Sequence, residues 1–330
     1  MPGTLVLGEL AEGGLQSITG ELLAAGRRLS ESLDNEVTVA LLGSDDSGLA
    51  DDAISQGADK VYLVEDPLLA EHQIDAHVAA FEQLCRQVEP SVVLVGKTPT
   101  GRDLGPRVAF RLGVGVAQDC VNVTVDSGSG RVVATRPVYG GNALATVTFP
   151  DVDPQVVIVR AKVFEPLESD SSRTGEVIEI QPQLDPTVVK SRVVETVKRE
   201  SSGVRLEDAP VVIGGGRGLG GPDPFEMLEE LAQLLGGAVG ASRPVCDAGW
   251  LDHSYQVGLT GKTITPDLYI TIGISGASQH MAGCSAAKHI VAINRDADAN
   301  ILKSSNFAVV GDWKNILPSF VETVRELVKS

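Results

Sequence analysis

The sequence predicts an α/β protein built from two parallel-sheet domains. Three observations carry that expectation. Short apolar, β-rich runs alternate with helical patterns over the first 160 residues, and after a polar stretch the alternation restarts at Ala209. Of 330 residues, 36 are glycine and only 4% are aromatic, so backbones can approach one another or a ligand closely.

In the first domain, strands are expected at Thr4–Leu7, Glu36–Leu42, Lys60–Val64 and Ser91–Gly96. Helices are expected at Ser17–Leu33, Leu49–Gln56, Asp75–Gln87 and Gly101–Leu112. In the first helix, Ile18, Leu22, Leu23 and Leu29 form a helical stripe. The strands Val121–Val125, Arg131–Val138, Ala143–Phe149 and Gln155–Val159 follow with no helices between them, and read as an antiparallel appendage or sheet edge. The division expected is 1–165 for this domain, 166–208 for a polar linker or arm, and 209–330 for a second domain. There a strand at Pro210–Gly214 opens into the glycine run Gly214–Gly221. Asp223 is placed to cap a helix with Pro224 at its first position and Glu226 three residues after the cap, ending at Gly236-Gly237. Strands at Leu268–Ile274, His289–Ile293 and Phe307–Val310 and a helix at Ile316–Val328 complete the pattern.

The formal net charge of −17 argues against nucleic-acid or anionic-membrane partners. It is uneven. Residues 1–210 hold 18 basic and 32 acidic residues, a balance of −14, against 9 and 12 in residues 211–330, a balance of −3. An anionic ligand therefore suits the C-terminal part. The cysteines Cys85, Cys120, Cys246 and Cys284 lack zinc-ligand spacing and read as free thiols in a reducing compartment. No secretory signal, transit segment or apolar run of 18 residues is visible, so a cytoplasmic bacterial protein is expected.

No catalytic triad or paired carboxylates stand out, and neither catalytic residues nor metal ligands are expected. The chemistry lies in strand-end segments of the second domain. Gly214–Gly221 contains Gly216-x-Gly218-x-x-Gly221, a dinucleotide-type pattern, but lacks the acid about 20 residues on. Three readings stay open: a standard dinucleotide fingerprint, a structural turn, or another nucleotide site with Arg217 beside a phosphate. Ser242-Arg243 offers a cation for an anionic ligand. Gln256-Val-Gly-Leu-Thr260 offers a hydroxyl and backbone donors, and Gly273–His280 forms a strand-to-helix turn. Asn294 and Asp312 close two further strands. Open α/β sheets bind ligands at such ends, and several in one stretch point to a single large nucleotide ligand.

These segments resemble the electron transfer flavoprotein alpha-subunit family. The likeness is carried by Ser242-Arg-Pro-Val-Cys-Asp-Ala-Gly-Trp250, Gln256-Val-Gly-Leu-Thr-Gly-Lys262, the run Leu268–Gly283 and Ile290-Val-Ala-Ile-Asn-Arg-Asp296. Gly57-Ala-Asp-Lys-Val-Tyr62, Gly101-Arg-Asp-Leu-Gly-Pro-Arg107 and Arg136-Pro-Val-Tyr-Gly-Gly-Asn142 extend it to nearly the whole chain. The resemblance implies an adenine-nucleotide-hydrolase-like parallel-sheet domain, then a doubly wound FAD-binding domain. It implies an electron carrier rather than a substrate-converting enzyme, paired with a beta subunit holding AMP or a second FAD. Electrons would come from flavin dehydrogenases, as in fatty acid β-oxidation by acyl-CoA dehydrogenases, and pass to a quinone oxidoreductase. An alternative is a bifurcating, NADH-oxidising complex with a second FAD in the beta subunit.

For FAD, the resemblance implies Arg217 near the cofactor and Ser242 and Arg243 beside the flavin. Gln256, Val257, Gly258, Leu259 and Thr260 would border the ring, with the Thr260 hydroxyl near N5. Gly273, Ser275, Gly276, Ala277, Ser278, Gln279 and His280 would wrap the pyrophosphate and flavin edge, with His280 a donor near O2. Asn294, Asp312 and Trp313 would lie on the adenosine side. The chain departs from the family pattern at Leu259, where glutamine is usual, at Ala297–Leu302, at Ser305–Phe307 and at Asp153.

Overall fold

The computed structural model describes residues 3–11, 14–43, 47–70, 73–139, 143–149, 152–191, 193 and 204–329. The chain folds as two compact units, Met1–Val197 and Lys198–Ser330.

In chain order the first unit has β1 (Thr4–Leu7), β2 (Leu10–Ala11), β3 (Gly14–Leu15), α1 (Ser17–Leu33), β4 (Val37–Gly43), α2 (Ala50–Ser55), β5 (Lys60–Glu65) and α3 (Ile74–Val88). There follow β6 (Val92–Gly96), α4 (Pro99–Leu112), β7 (Val116–Cys120), β8 (Asn122–Val125), β9 (Val132–Val138), β10 (Ala143–Thr148), β11 (Gln155–Val159) and β12 (Glu176–Ile180). The main sheet has the order β12-β5-β4-β1-β6-β11-β7 and every pairing in it is parallel. Val6, Leu41 and Leu94 pack on one face with Leu22 and Leu29 of α1; Leu5, Leu7 and Val95 pack on the other with Phe81 and Leu84 of α3 and Leu104 of α4. Burial on both faces is why these strands read as unbroken apolar runs rather than alternating ones.

Three expectations change here. Gln155–Val159 is not part of an antiparallel appendage: it is wholly buried and runs parallel between β6 and β7, which its Val-Val-Ile-Val core fits. The appendage itself is the antiparallel sheet β10-β9-β8. The single strand expected at Val121–Val125 is β8, preceded by β7, whose Gln118 and Asp119 break the apolar signal. The segment 166–208, read as linker or arm, carries β12 as a parallel edge strand on β5, so the first unit extends beyond residue 165. Its Glu-Val-Ile-Glu-Ile sequence mixes charged and apolar residues, and only Ile178 and Ile180 are partly covered. Gly140–Asn142 and Val194–Gly203 lie outside the described residues.

The second unit has β13 (Val211–Gly215), α5 (Phe225–Leu234), β14 (Ala238–Ala241), α6 (Arg243–Asp247), β15 (Leu268–Ile272), α7 (Ser278–Met281), β16 (His289–Asn294), α8 (Asn300–Lys303), β17 (Phe307–Val310) and α9 (Trp313–Lys329). Its five-stranded sheet is parallel, with order β14-β13-β15-β16-β17. Ile213, Ile270 and Ile272 pack under α5 and α9; Val212, Tyr269 and Ala292 pack on the opposite face with Val257, Ile264 and Ile301. The chain turns one way from β13 to β14 and the other way to β15. That reversal is the topological switch point of a doubly wound sheet, and it opens a crevice at the strands' C-terminal ends. Asp223 does not cap α5: the helix starts at Phe225, its boundary residue is Pro224 and no side chain caps it. A preceding tight turn, in which the Glu226 N–H donates to the Asp223 carbonyl at 3.2 Å, takes up that length.

At the end of β1, Glu9 is 5% exposed, and its carboxyl accepts from the Thr98 hydroxyl at 2.7 Å. Burial pushes its pKa up to about 7 from an ordinary 4.5. The folded state thus holds a proton that the unfolded chain gives up earlier. The stability this contributes is complete below pH 4.5 and is lost as pH rises through 7. Glu9→Gln should abolish a fall of about 1.4 kcal/mol per pH unit across that window. Denaturant unfolding of both proteins across that pH range measures it, and parallel curves would refute it.

Candidate functional site

Four strand ends of the second unit converge on a cavity of about 690 Å³. Such volumes are usual for small-molecule and cofactor pockets. After β13 come Arg217 and Gly218; after β14, Ser242, Arg243, Pro244 and Asp247; after β15, Gly273 to Ser275, Ala277, Gln279 and His280; after β16, Asn294, Arg295 and Asp296. Gln256 to Thr260 form a further wall and Ala299 closes it. A second cavity of about 220 Å³ shares Arg217, Gly218, Gly273, Asn294 and Arg295, and adds Asp312 and Trp313.

The glycine run holds the floor together. The Gly216 N–H donates to the Ile272 carbonyl at 2.8 Å and the Gly218 N–H to the Gly273 carbonyl at 3.0 Å. A Cβ at Gly216 would lie 2.1 Å from the Gly273 oxygen, so a side chain there cannot coexist with this contact. These two glycines therefore answer to a close approach of two turns. The run does not abut a helix N-terminus: it contains a short 3₁₀ turn, Arg217–Leu219, and α5 begins only at Phe225. The open reading with Arg217 beside a phosphate therefore does not draw on the N-terminus of α5. Arg217 itself is exposed at the mouth.

The wall from Gln256 to Thr260 is tied on both sides. The Val257 N–H donates to the Ala241 carbonyl at 2.9 Å and the Leu259 N–H to the Gln279 carbonyl at 2.7 Å. The Gln256 side-chain amide donates to the Thr260 hydroxyl at 3.0 Å, which leaves the hydroxyl hydrogen free to donate outward. The Leu259 side chain is 64% exposed, so this departure from the family pattern disturbs no core packing. Arg243 is also exposed, and its Nε donates to Asp247 at 3.2 Å across one helical turn.

His280 behaves differently. It is buried, Nδ1 lies 3.1 Å from the Val257 carbonyl, and Nε2 lies 3.0 Å from the Tyr269 hydroxyl. Burial pushes its pKa down to about 4. A neutral ring with both nitrogens engaged has no spare N–H, so the donor role that the resemblance implies for His280 does not fit this geometry. Asn294 is likewise committed: its Nδ2 donates to the Ile274 carbonyl at 2.7 Å and its Oδ1 accepts from the Asp296 N–H at 3.0 Å, fastening two walls. Asp312 accepts from the Lys314 N–H at 3.0 Å and caps α9. Gly276 and Ser278 stand outside the lining, Gly276 against the backbone of Ile301.

The sequence reading passes over Arg295 and Asp296, although a charged pair directly after a strand end is a visible signal. Asp247 shows only as an i,i+4 partner of Arg243. Among the described residues, no group of His, Cys, Asp and Glu stands ready for a metal, and the four cysteines are buried free thiols. No helix among them is long and apolar enough to cross a membrane.

A doubly wound sheet with a cationic, hydroxyl-rich cavity at its switch point defines a nucleotide-type ligand-binding protein. Comparison with known proteins narrows this. The electron transfer flavoprotein domain matches residues 4–185, and the electron transfer flavoprotein FAD-binding domain matches residues 205–285. The chain is 43% identical to the electron transfer flavoprotein subunit alpha of Megasphaera elsdenii, covering 98% of this chain and 96% of that one. It is 41% identical to the subunit of the same name from Bacillus subtilis and 40% identical to that from Thermoanaerobacterium thermosaccharolyticum, in each case over 98% of this chain and 97% of the other. The chain belongs to the electron transfer flavoprotein alpha-subunit family, and its second unit carries that family's FAD-binding domain.

Replacing Gly216 by alanine should force apart the turns after β13 and β15. The expected cost to the second unit is about 2–3 kcal/mol. Hydrogen exchange at the Gly216 and Gly218 amides should rise with it; unchanged protection would show that the turns tolerate a methyl group.

Proposed function

We propose that the cavity of the second unit holds FAD through the residues placed around it. On this reading, the protein works as one half of a heterodimer with an electron transfer flavoprotein beta subunit. It takes electrons from flavin dehydrogenases, acyl-CoA dehydrogenases among them, and passes them to a quinone oxidoreductase or similar acceptor. The observation that supports the cofactor best is the donor set. Arg217, Arg243 and Arg295 bring three cations to one cavity whose remaining lining includes Pro244, Val257, Leu259, Ile274 and Ala277. A dinucleotide pairing an anionic pyrophosphate with a flat, largely apolar heterocycle is complementary to that mixture.

When bound, FAD supplies the one- and two-electron chemistry that no side chain here provides. The chain's part is to bind and orient it. Arg217 neutralises phosphate charge. The Thr260 hydroxyl, held by Gln256, donates into the cavity, and Arg243 sets a positive charge where the ring gains electron density. Asn294 and Asp312 keep the adenosine side rigid through the backbone bonds they accept and donate. Electron transfer on these terms needs no general acid or base from the protein.

The reading is tested by co-expressing the chain with its beta-type partner and counting FAD and AMP released per heterodimer. One of each is expected; two FAD without AMP would point instead to the bifurcating arrangement, and no flavin after reconstitution would defeat the assignment. In the loaded heterodimer, Arg243→Ala should lower the first one-electron potential by roughly 10–40 mV, since an exposed charge is worth up to about 1 kcal/mol. An unchanged potential would remove Arg243 from its role beside the ring.

A further inference from the structure

The buried pair beneath the Gln256–Thr260 wall has a chemistry of its own. Tyr269 stands on β15 with no exposure, and its ring lies 6.1 Å from that of His280 at 28°. Room for the phenol is made by Gly214 on β13, where a Cβ would fall 2.4 Å from the hydroxyl oxygen. A backbone carbonyl only accepts, so the contact with Val257 requires the His280 proton to sit on Nδ1. In the neutral ring Nε2 is then an acceptor, and the Tyr269 hydroxyl donates to it.

Two features disfavour the imidazolium. Burial pushes His280 down to about 4 and Tyr269 well above its ordinary value. The other walls of the cavity also carry Arg217, Arg243 and Arg295, against only Asp247 and Asp296. Behind the ring, the buried Cys284 thiol donates to the His280 carbonyl at 3.5 Å and is itself neutral, its pKa pushed up to about 12.

We propose that Tyr269 is a positioning residue that locks His280 as the uncharged Nδ1–H tautomer and, through it, fixes the Val257 carbonyl and the wall that presents Thr260. The inference rests on the flavin-binding reading for its consequence at the cofactor, though the lock belongs to the chain alone. It assigns charge compensation in the site to arginine rather than to histidine. A ligand on this wall then meets a surface whose charge does not change as pH crosses the usual histidine range.

The test begins with ¹⁵N NMR of the His280 ring in the heterodimer, with and without FAD, between pH 5.5 and 8. The expected spectrum shows a protonated Nδ1 and an unprotonated Nε2 throughout. Titration in that range, or a proton on Nε2, would overturn the proposal, and this readout stands even if the cavity binds no flavin. The second part is a cycle on the FAD dissociation constant with Tyr269→Phe, His280→Asn and both together. Asparagine keeps a donor for Val257 and removes the group that Tyr269 serves. Tyr269→Phe should weaken FAD about three- to tenfold in the wild-type background, the worth of one hydrogen bond, and less than twofold beside His280→Asn. Equal losses in both backgrounds would reduce Tyr269 to packing and overturn its positioning role. Failure of the wild-type heterodimer to hold FAD would count against the flavin reading instead.

Discussion

Two turns that touch through backbone atoms alone govern the second unit. Gly216 and Gly218 after β13 bond to Ile272, the last residue of β15, and to Gly273 just after it, at the place where the strand order reverses. Any side chain at Gly216 would hold the turns apart. Because they meet, the ends of four parallel strands stand close enough to share one cavity, and every functional group described here is placed relative to that contact. Two of the three glycines in the dinucleotide-type pattern, Gly216 and Gly218, thus serve packing, while a Cβ at Gly221 would meet nothing within 4 Å.

The cavity divides its labour between exposed cations and buried neutral groups. Arg217, Arg243 and Arg295 reach its mouth, where water moderates their charge and a ligand can recruit them. His280 and Tyr269 lie below, where a charge would be costly and paired hydrogen bonds are the stable alternative. Asn294 and Gln256 belong to the same supporting layer: their amides bind neighbouring chain, not the open space. A site made this way has its geometry set by buried contacts and its electrostatics set at the rim.

The first unit repeats the parallel-sheet logic with heavier cover. Helices and the antiparallel sheet bury both faces of its central strands, and the carboxyl of Glu9 is carried inside with them, bonded to Thr98. Its strong negative balance belongs to that unit's surface, while the flavin domain stays near neutrality. Within the second unit, the acidic residues that line the cavity beside its arginines are Asp247 and Asp296.

Much of this was legible in the residues themselves. Apolar runs such as Val92–Gly96 and Leu268–Ile272 announce buried parallel strands, and the segments from Ser242 to Asp296 carry the family and most of the cavity lining, because strand identity and strand-end chemistry are local properties. What the sequence could not express were pairings between distant segments. β11 looked like a hairpin strand until β6 and β7 enclosed it, and β12 looked like linker until β5 supplied its partner. His280 looked like a donor for a ligand until Tyr269 and Val257, 11 and 23 residues away, occupied both of its nitrogens. Sequence by itself determined which segments would be strands and which ends would carry polar groups. Tertiary structure alone decided which of those groups remain free, since a hydrogen bond already made within the fold is no longer available to a cofactor.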